Sequence, residues 1–138
     1  MPKRICIVDD QPSLRQMVRF ALTIQGIAVE EAKDGVDALE KISNQGFDLI
    51  IADWQMPRMD GLEMLRRLRN IPGYIDVPVI MISCRDDIEA RKQARALGVL
   101  AWIKKPFRLS EIQTVVEDTL DIADLAGPSS ERVGNGFT

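Results

Sequence analysis

Five short apolar runs, at residues 5–8, 27–32, 47–52, 77–82 and 99–103, punctuate the chain at regular intervals and constrain the fold more than any other feature. Each has strand length, and several are rich in Ile and Val. Helical patterns fill the gaps between them. Leu14, Met17, Val18, Ala21 and Leu22 recur at helical spacing and stop at Gly26. Val36, Leu39 and Ile42 mark a second helix ending before Gly46, and Leu62, Leu65 and Leu68 mark a third. A fourth spans residues 88–97 and ends at Gly98. The last covers residues 109–126, with Ile112, Val115, Val116, Thr119, Leu120 and Ala123 on one face. Pro12 suits a first helical position, and Asp60 with Glu63 suits a helix N-cap. The first, third and fourth runs are almost wholly apolar, as parallel strands covered on both faces are. Five such strand–helix units joined by right-handed crossovers predict an α/β fold with an open, doubly wound parallel sheet, occupying residues 1–126. Residues 127–138 (GPSSERVGNGFT) are small, polar and unpatterned, which predicts a flexible tail or linker stub.

Composition removes several functions. The 138-residue chain suits one domain, and its net charge of −3 gives no reason to expect nucleic-acid binding. No apolar run approaches a membrane span, and the N-terminus lacks the pattern of a signal peptide. Two cysteines, Cys6 and Cys84, suggest reduced thiols, so the cytoplasm is the expected location. There is no histidine, which excludes Ser-His-Asp and Cys-His catalysis and any His-ligated metal. A metal would have to be held mainly by oxygen, which points to Mg²⁺, Mn²⁺ or Ca²⁺.

The first apolar run ends in two adjacent carboxylates, Asp9 and Asp10, which repel one another unless a cation compensates. One Asp at a strand end is ordinary, because it can close a turn or cap the next helix. In an open α/β sheet, however, function gathers at the carboxyl ends of the strands. The other strands end in Asp53, in Ser83, and in Lys104-Lys105 before Pro106. Three acids, a hydroxyl and an ammonium thus converge on one sheet edge from distant parts of the chain.

These residues, read with VDD at 8–10, ADWQMPRMDG at 52–61, MIS at 81–83 and KPF at 105–107, resemble the receiver domains of bacterial two-component response regulators. The resemblance runs from Lys3 to about Leu125 and is nearest to the stand-alone, chemotaxis-type (CheY-like) regulators. It implies the flavodoxin-like sheet order 2-1-3-4-5. It also implies that Asp53 is the phosphoacceptor, forming an aspartyl phosphate with phosphate from a sensor histidine kinase. Mg²⁺, or Mn²⁺, would be held by Asp9, Asp10, Asp53 and the backbone carbonyl of Gln55. Lys105 and Ser83 would meet phosphoryl oxygens, the Lys105–Pro106 bond would be cis, and Trp102 with Ser83 would form the switch. Two positions depart from the common pattern: Ser83 stands where Thr is more usual, and Trp102 where Tyr or Phe is.

Such a protein is a signalling switch that catalyses only its own phosphotransfer and dephosphorylation. Its output would pass to a protein target through the surface of the fourth helix, fifth strand and fifth helix. It would act as a monomer or as a phosphorylation-dependent dimer, either alone or as the receiver of a larger regulator. Other readings fit less well. Aspartyl-phosphate hydrolases carry a second Asp two residues past the nucleophile, and here that residue is Gln55. Flavodoxin-like cofactor binders cradle phosphate in a Ser-, Thr- or Gly-rich first loop, where this chain has DDQPS. A receiver-like scaffold that takes no phosphate would have little use for all five site residues. No helix-turn-helix fits after the last helix, and Arg85, Arg91, Lys92 and Arg95 make a basic helix face next to the expected output surface.

Overall fold

The computed structural model describes residues 2–126. In chain order the elements are β1 (Arg4–Val8), α1 (Pro12–Ile24), β2 (Ala28–Ala32), α2 (Gly35–Asn44), β3 (Leu49–Asp53), α3 (Gly61–Leu68), β4 (Val79–Ser83), α4 (Ile88–Ala96), β5 (Ala101–Lys104) and α5 (Leu109–Ala126). The strands form one parallel sheet in the order β2-β1-β3-β4-β5, as expected. The expected tail lies outside the described residues.

Alternating residues of the central strands feed two cores. On one face Ile5, Ile7, Leu49, Ile51, Ile80 and Ile82 pack under α1 and α5, which bury Val18, Ala21, Leu22, Ile112 and Val116. On the other, Cys6, Val8, Ile50, Ala52, Val79 and Met81 pack under α2, α3 and α4. This double coverage explains why β1, β3 and β4 read as continuous apolar runs. No described helix is long and apolar enough to cross a membrane.

Strands β3, β4 and β5 begin two residues later than the apolar runs and β2 begins one residue later, and the reason is backbone accounting. Gly26 (φ +80°) and Gly98 (φ +84°) end α1 and α4 in the left-handed region. The next N–H groups, of Ile27 and Val99, then turn back to Leu22 and Ala94 carbonyls, so these residues close the preceding helix. The N–H of Phe47 goes instead to the Tyr74 hydroxyl (3.1 Å), and Pro78 has no N–H to give. Strand starts therefore yield to caps, while strand ends extend to Asp53, Ser83 and Lys104.

Two helix faces differ from the expected stripes. Val36 and Ile88 are exposed, and the inward residues are Ala38 and Ile42 in α2 and Ala90 and Ala94 in α4. Asp34 and Asp87 cap these helices by accepting the N–H of Asp37 and Ala90 (2.8 and 2.6 Å). Those caps start the helices so that Ala38 and Ile42, four and eight positions after Asp34, and Ala90 and Ala94, three and seven after Asp87, face the sheet. In α3 the expected cap forms, with Asp60 accepting the Glu63 N–H at 2.8 Å.

Candidate functional site

The carboxyl edge of the sheet is where the charged side chains meet. Asp9 follows β1 directly, and its N–H continues the ladder to the Ala32 carbonyl (3.1 Å). Asp53 is the last residue of β3. Both side chains fold over the chain that follows in the same way: Asp9 Oδ1 accepts the Gln11 N–H (2.8 Å), and Asp53 Oδ1 accepts the Gln55 N–H (3.1 Å). Each keeps Oδ2 free of the backbone, and Lys105 Nζ donates to both, at 2.9 Å each. Asp9 is wholly buried and Asp53 almost so, whereas Asp10 is exposed at the mouth.

Burial pushes the Asp9 carboxyl above its ordinary value, against the pull of the Gln11 N–H and of Lys105. For Lys105 burial acts downward, but its hydrogen bonds to Asp53 and Asp9 outweigh it and hold the ammonium charged. One carboxylate oxygen from each of Asp9, Asp10 and Asp53 lies within 4.8 Å of the others. That donor set is hard, anionic and oxygen-only, with one open side, and it fits Mg²⁺ or Mn²⁺. Gln55, whose carbonyl is the remaining expected metal ligand, is tied to the pocket by its N–H, which donates to Asp53 Oδ1.

Ser83 ends β4, fully buried, with its Oγ accepting the Arg85 N–H (2.9 Å) and its carbonyl accepting the Lys105 N–H (2.8 Å). The Lys105–Pro106 peptide is cis. Trp102 lies opposite Met81 in β5, and its Nε1 donates to the Arg85 carbonyl (3.2 Å). Ser83 and Trp102 thus hold the two ends of one residue, Arg85. The Trp102 ring also tilts at 53° against Trp54, the residue after Asp53, with ring centres 5.2 Å apart. On the outer side Arg91 sits 6.0 Å from the Trp102 ring. Arg85 pairs with Asp87 and Arg91 with Asp86, so part of the basic face is neutralised locally.

Three contributors are not singled out as site residues by the sequence. Arg15, one turn into α1, donates to the Asp9 carbonyl (2.6 Å) and to Glu31 of β2 (3.0 Å), fixing the turn that carries both acids. Trp54 stood inside a recognised motif, but its partner Trp102 arrives from a distant strand. Arg58 and Asp34 form an ion pair beside the loop after Asp53.

Known proteins resemble this chain in sequence and in fold. A family model for the response regulator receiver domain matches residues 5–117. The response regulator MprA of Mycobacterium sp. (strain KMS) is 39% identical over 112 residues, covering 81% of this chain and 48% of the relative. MprA of Mycobacterium tuberculosis (strain ATCC 25177 / H37Ra) is 38% identical over 112 residues, with the same coverage of 81% and 48%. The chain therefore spans about half the length of the curated relatives it matches. Among solved structures, the Vibrio cholerae chemotaxis protein CheY4 superposes with a TM-score of 0.83 at 33% identity, covering 86% of this chain and 99% of that one. A CheY-like receiver domain protein from Methanospirillum hungatei JF-1 reaches 0.86 at 28% identity, covering 92% of this chain and 100% of that one.

Proposed function

The chain belongs to the response regulator receiver domain family, and from that premise we propose that Asp53 accepts a phosphoryl group from a sensor histidine kinase and switches the protein's output. The observation that carries this reading is the shared Lys105 ammonium, 2.9 Å from an oxygen of the buried Asp9 and of Asp53. It places fixed positive charge beside the nucleophile.

An Asp53 oxygen attacks phosphorus as the donor's N–P bond breaks. The electron pair stays on the leaving imidazole nitrogen, which takes a proton. Asp9, Asp10 and Asp53, with the Gln55 carbonyl, would hold Mg²⁺ (or Mn²⁺), which supplies charge opposite the phosphoryl oxygens. Lys105 keeps its proton throughout and pairs with a phosphoryl oxygen once Asp53 is esterified. The Ser83 hydroxyl leaves the Arg85 N–H to donate to another. Loss of that contact loosens Arg85, which also anchors the Trp102 indole, and the α4–β5–α5 face changes for a downstream protein. The reading makes the protein a cytoplasmic switch that turns over only its own phosphoryl group.

Length supports a second form of the same function. Coverage of 48% of MprA suits a receiver module of a longer regulator, and coverage of 99% of CheY4 suits a receiver acting alone. A phosphoryl mimic tests the common core. Beryllofluoride with Mg²⁺ raises the melting temperature of the wild type and leaves Asp53→Asn unchanged; equal responses would contradict it.

A further inference from the structure

Arg58 is the only non-glycine residue with positive φ among the described residues, at +67°. A side chain in the left-handed region is strained, and such strain persists only where neighbours impose it. Here the neighbours come from α2. The Arg58 guanidinium pairs with Asp34 Oδ2, and the Asp34 side chain is buried although it bears a charge. Its other oxygen caps α2 through the Asp37 N–H. Next along the loop, the buried Met59 packs so closely on Gly35 that a Cβ there would lie 2.9 Å from its sulfur. Gly61 then lies so close to β3 that a Cβ would come within 2.6 Å of the Asp53 carbonyl. The segment 54–60 is thus closed on the end of β3 on both sides, directly after Asp53 and again at Gly61, and is fastened to the start of α2 by Arg58 and Met59, with Gln55 between Asp53 and those anchors.

We infer that Arg58 is a positioning residue for the acceptor site: its anchorage on buried Asp34 fixes the loop after Asp53, and so the Gln55 backbone that completes the metal site. The inference rests on the proposed Mg²⁺-dependent reading. A partner that orients a ligand is usually worth about 10–100-fold in metal affinity. The Arg58 side chain is 66% exposed, so the effect expected here is smaller, about 3–10-fold.

Four variants separate the anchor from its surroundings. Asp34→Asn keeps an N-cap oxygen but removes the charge, and Arg58→Gln removes the other charge with similar backbone preference. Arg58→Lys keeps the charge, and Arg58→Gly relieves the strained φ while losing the anchor. Each is titrated with Mg²⁺ alone, followed by tryptophan fluorescence, and its amide exchange is measured over residues 55–60. The expected result is weaker Mg²⁺ binding and faster exchange in Asp34→Asn, Arg58→Gln and Arg58→Gly, with Arg58→Lys close to wild type. The double variant Asp34→Asn/Arg58→Gln is no weaker than either single one. Unchanged Mg²⁺ affinity in Arg58→Gln and Arg58→Gly, with wild type binding normally, overturns the inference and leaves the metal site standing. Absence of Mg²⁺ binding by wild type overturns the site and the inference together.

Discussion

At the scale of single residues, Lys105 has the largest consequence for the acidic pocket. Its ammonium is what two buried carboxylates share, so Lys105→Ala leaves Asp9 buried without a cation. Breaking a buried pair from one side costs about 3 kcal/mol. Urea unfolding without metal therefore shows a loss of that order, and Mg²⁺ recovers more stability in the variant than in wild type. Equal Mg²⁺ responses in the two proteins would show that the cations do not share one site. Cys6 makes a separate residue-scale prediction. Burial in the sheet pushes its thiol from an ordinary 9.0 up to about 12. Between those values the unfolded chain has released the proton that the folded protein keeps. Stability is therefore lost as pH rises, by about 1.4 kcal/mol per pH unit for a full proton. Cys6→Ala flattens that part of the stability profile relative to wild type, and a parallel profile would contradict the assignment. In the native state, alkylation reaches exposed Cys84 and spares Cys6. The acids, Ser83 and Lys105 were legible in the sequence because strand ends define an edge. Arg58, Asp34 and Arg15 were not, since their partners are set by loop and helix docking that no periodicity encodes.

At the scale of elements, the junction of β3 with α3 is the tightest. The Cβ of a Gly61→Ala variant would meet the Asp53 carbonyl at 2.6 Å and Trp54 Cα at 2.9 Å, both backbone. The start of α3 must then move away from β3, at a cost of about 1–3 kcal/mol. The same shift slows Asp53 phosphorylation from acetyl phosphate; an unaltered melting temperature and rate would show that the junction yields freely. The β4–β5 side carries the proposed switch. Inward rotation of Trp102 must break its hydrogen bond to Arg85 and its contact with Trp54, then fit an indole where a smaller ring is more usual. The methyl absent from Ser83 offsets part of that crowding. Ser83→Thr therefore disfavours the inward ring, and Trp102→Tyr relieves the double variant. The coupling expected is of the usual allosteric size, about 1–3 kcal/mol. With Trp54 replaced, Trp102 fluorescence reads the change on addition of beryllofluoride. Additive effects of the two substitutions would leave Trp102 as packing only. Element order and type followed from alternating apolar runs and helical stripes. Boundaries did not, because Ile27 and Val99 look like strand residues yet close helices.

At the scale of the whole molecule, a receiver needs a stiff sheet with one responsive edge. The far edge is built for stiffness. The Arg69 guanidinium donates to the carbonyls of Leu97, Tyr74 and Val77, and the Tyr74 hydroxyl donates to the Gln45 carbonyl (2.7 Å). Responsive contacts collect at the opposite edge, where Asp9, Asp53 and Lys105 are held by a few polar bonds in a pocket lined with like charge. That asymmetry gives the central claim a direct chemical test. The protein is incubated with acetyl phosphate and Mg²⁺, and its intact mass is measured beside that of Asp53→Asn. The account predicts one added phosphoryl group on the wild type, none without Mg²⁺, and none on the variant. Equal labelling of the two proteins, or no labelling of either, would contradict it.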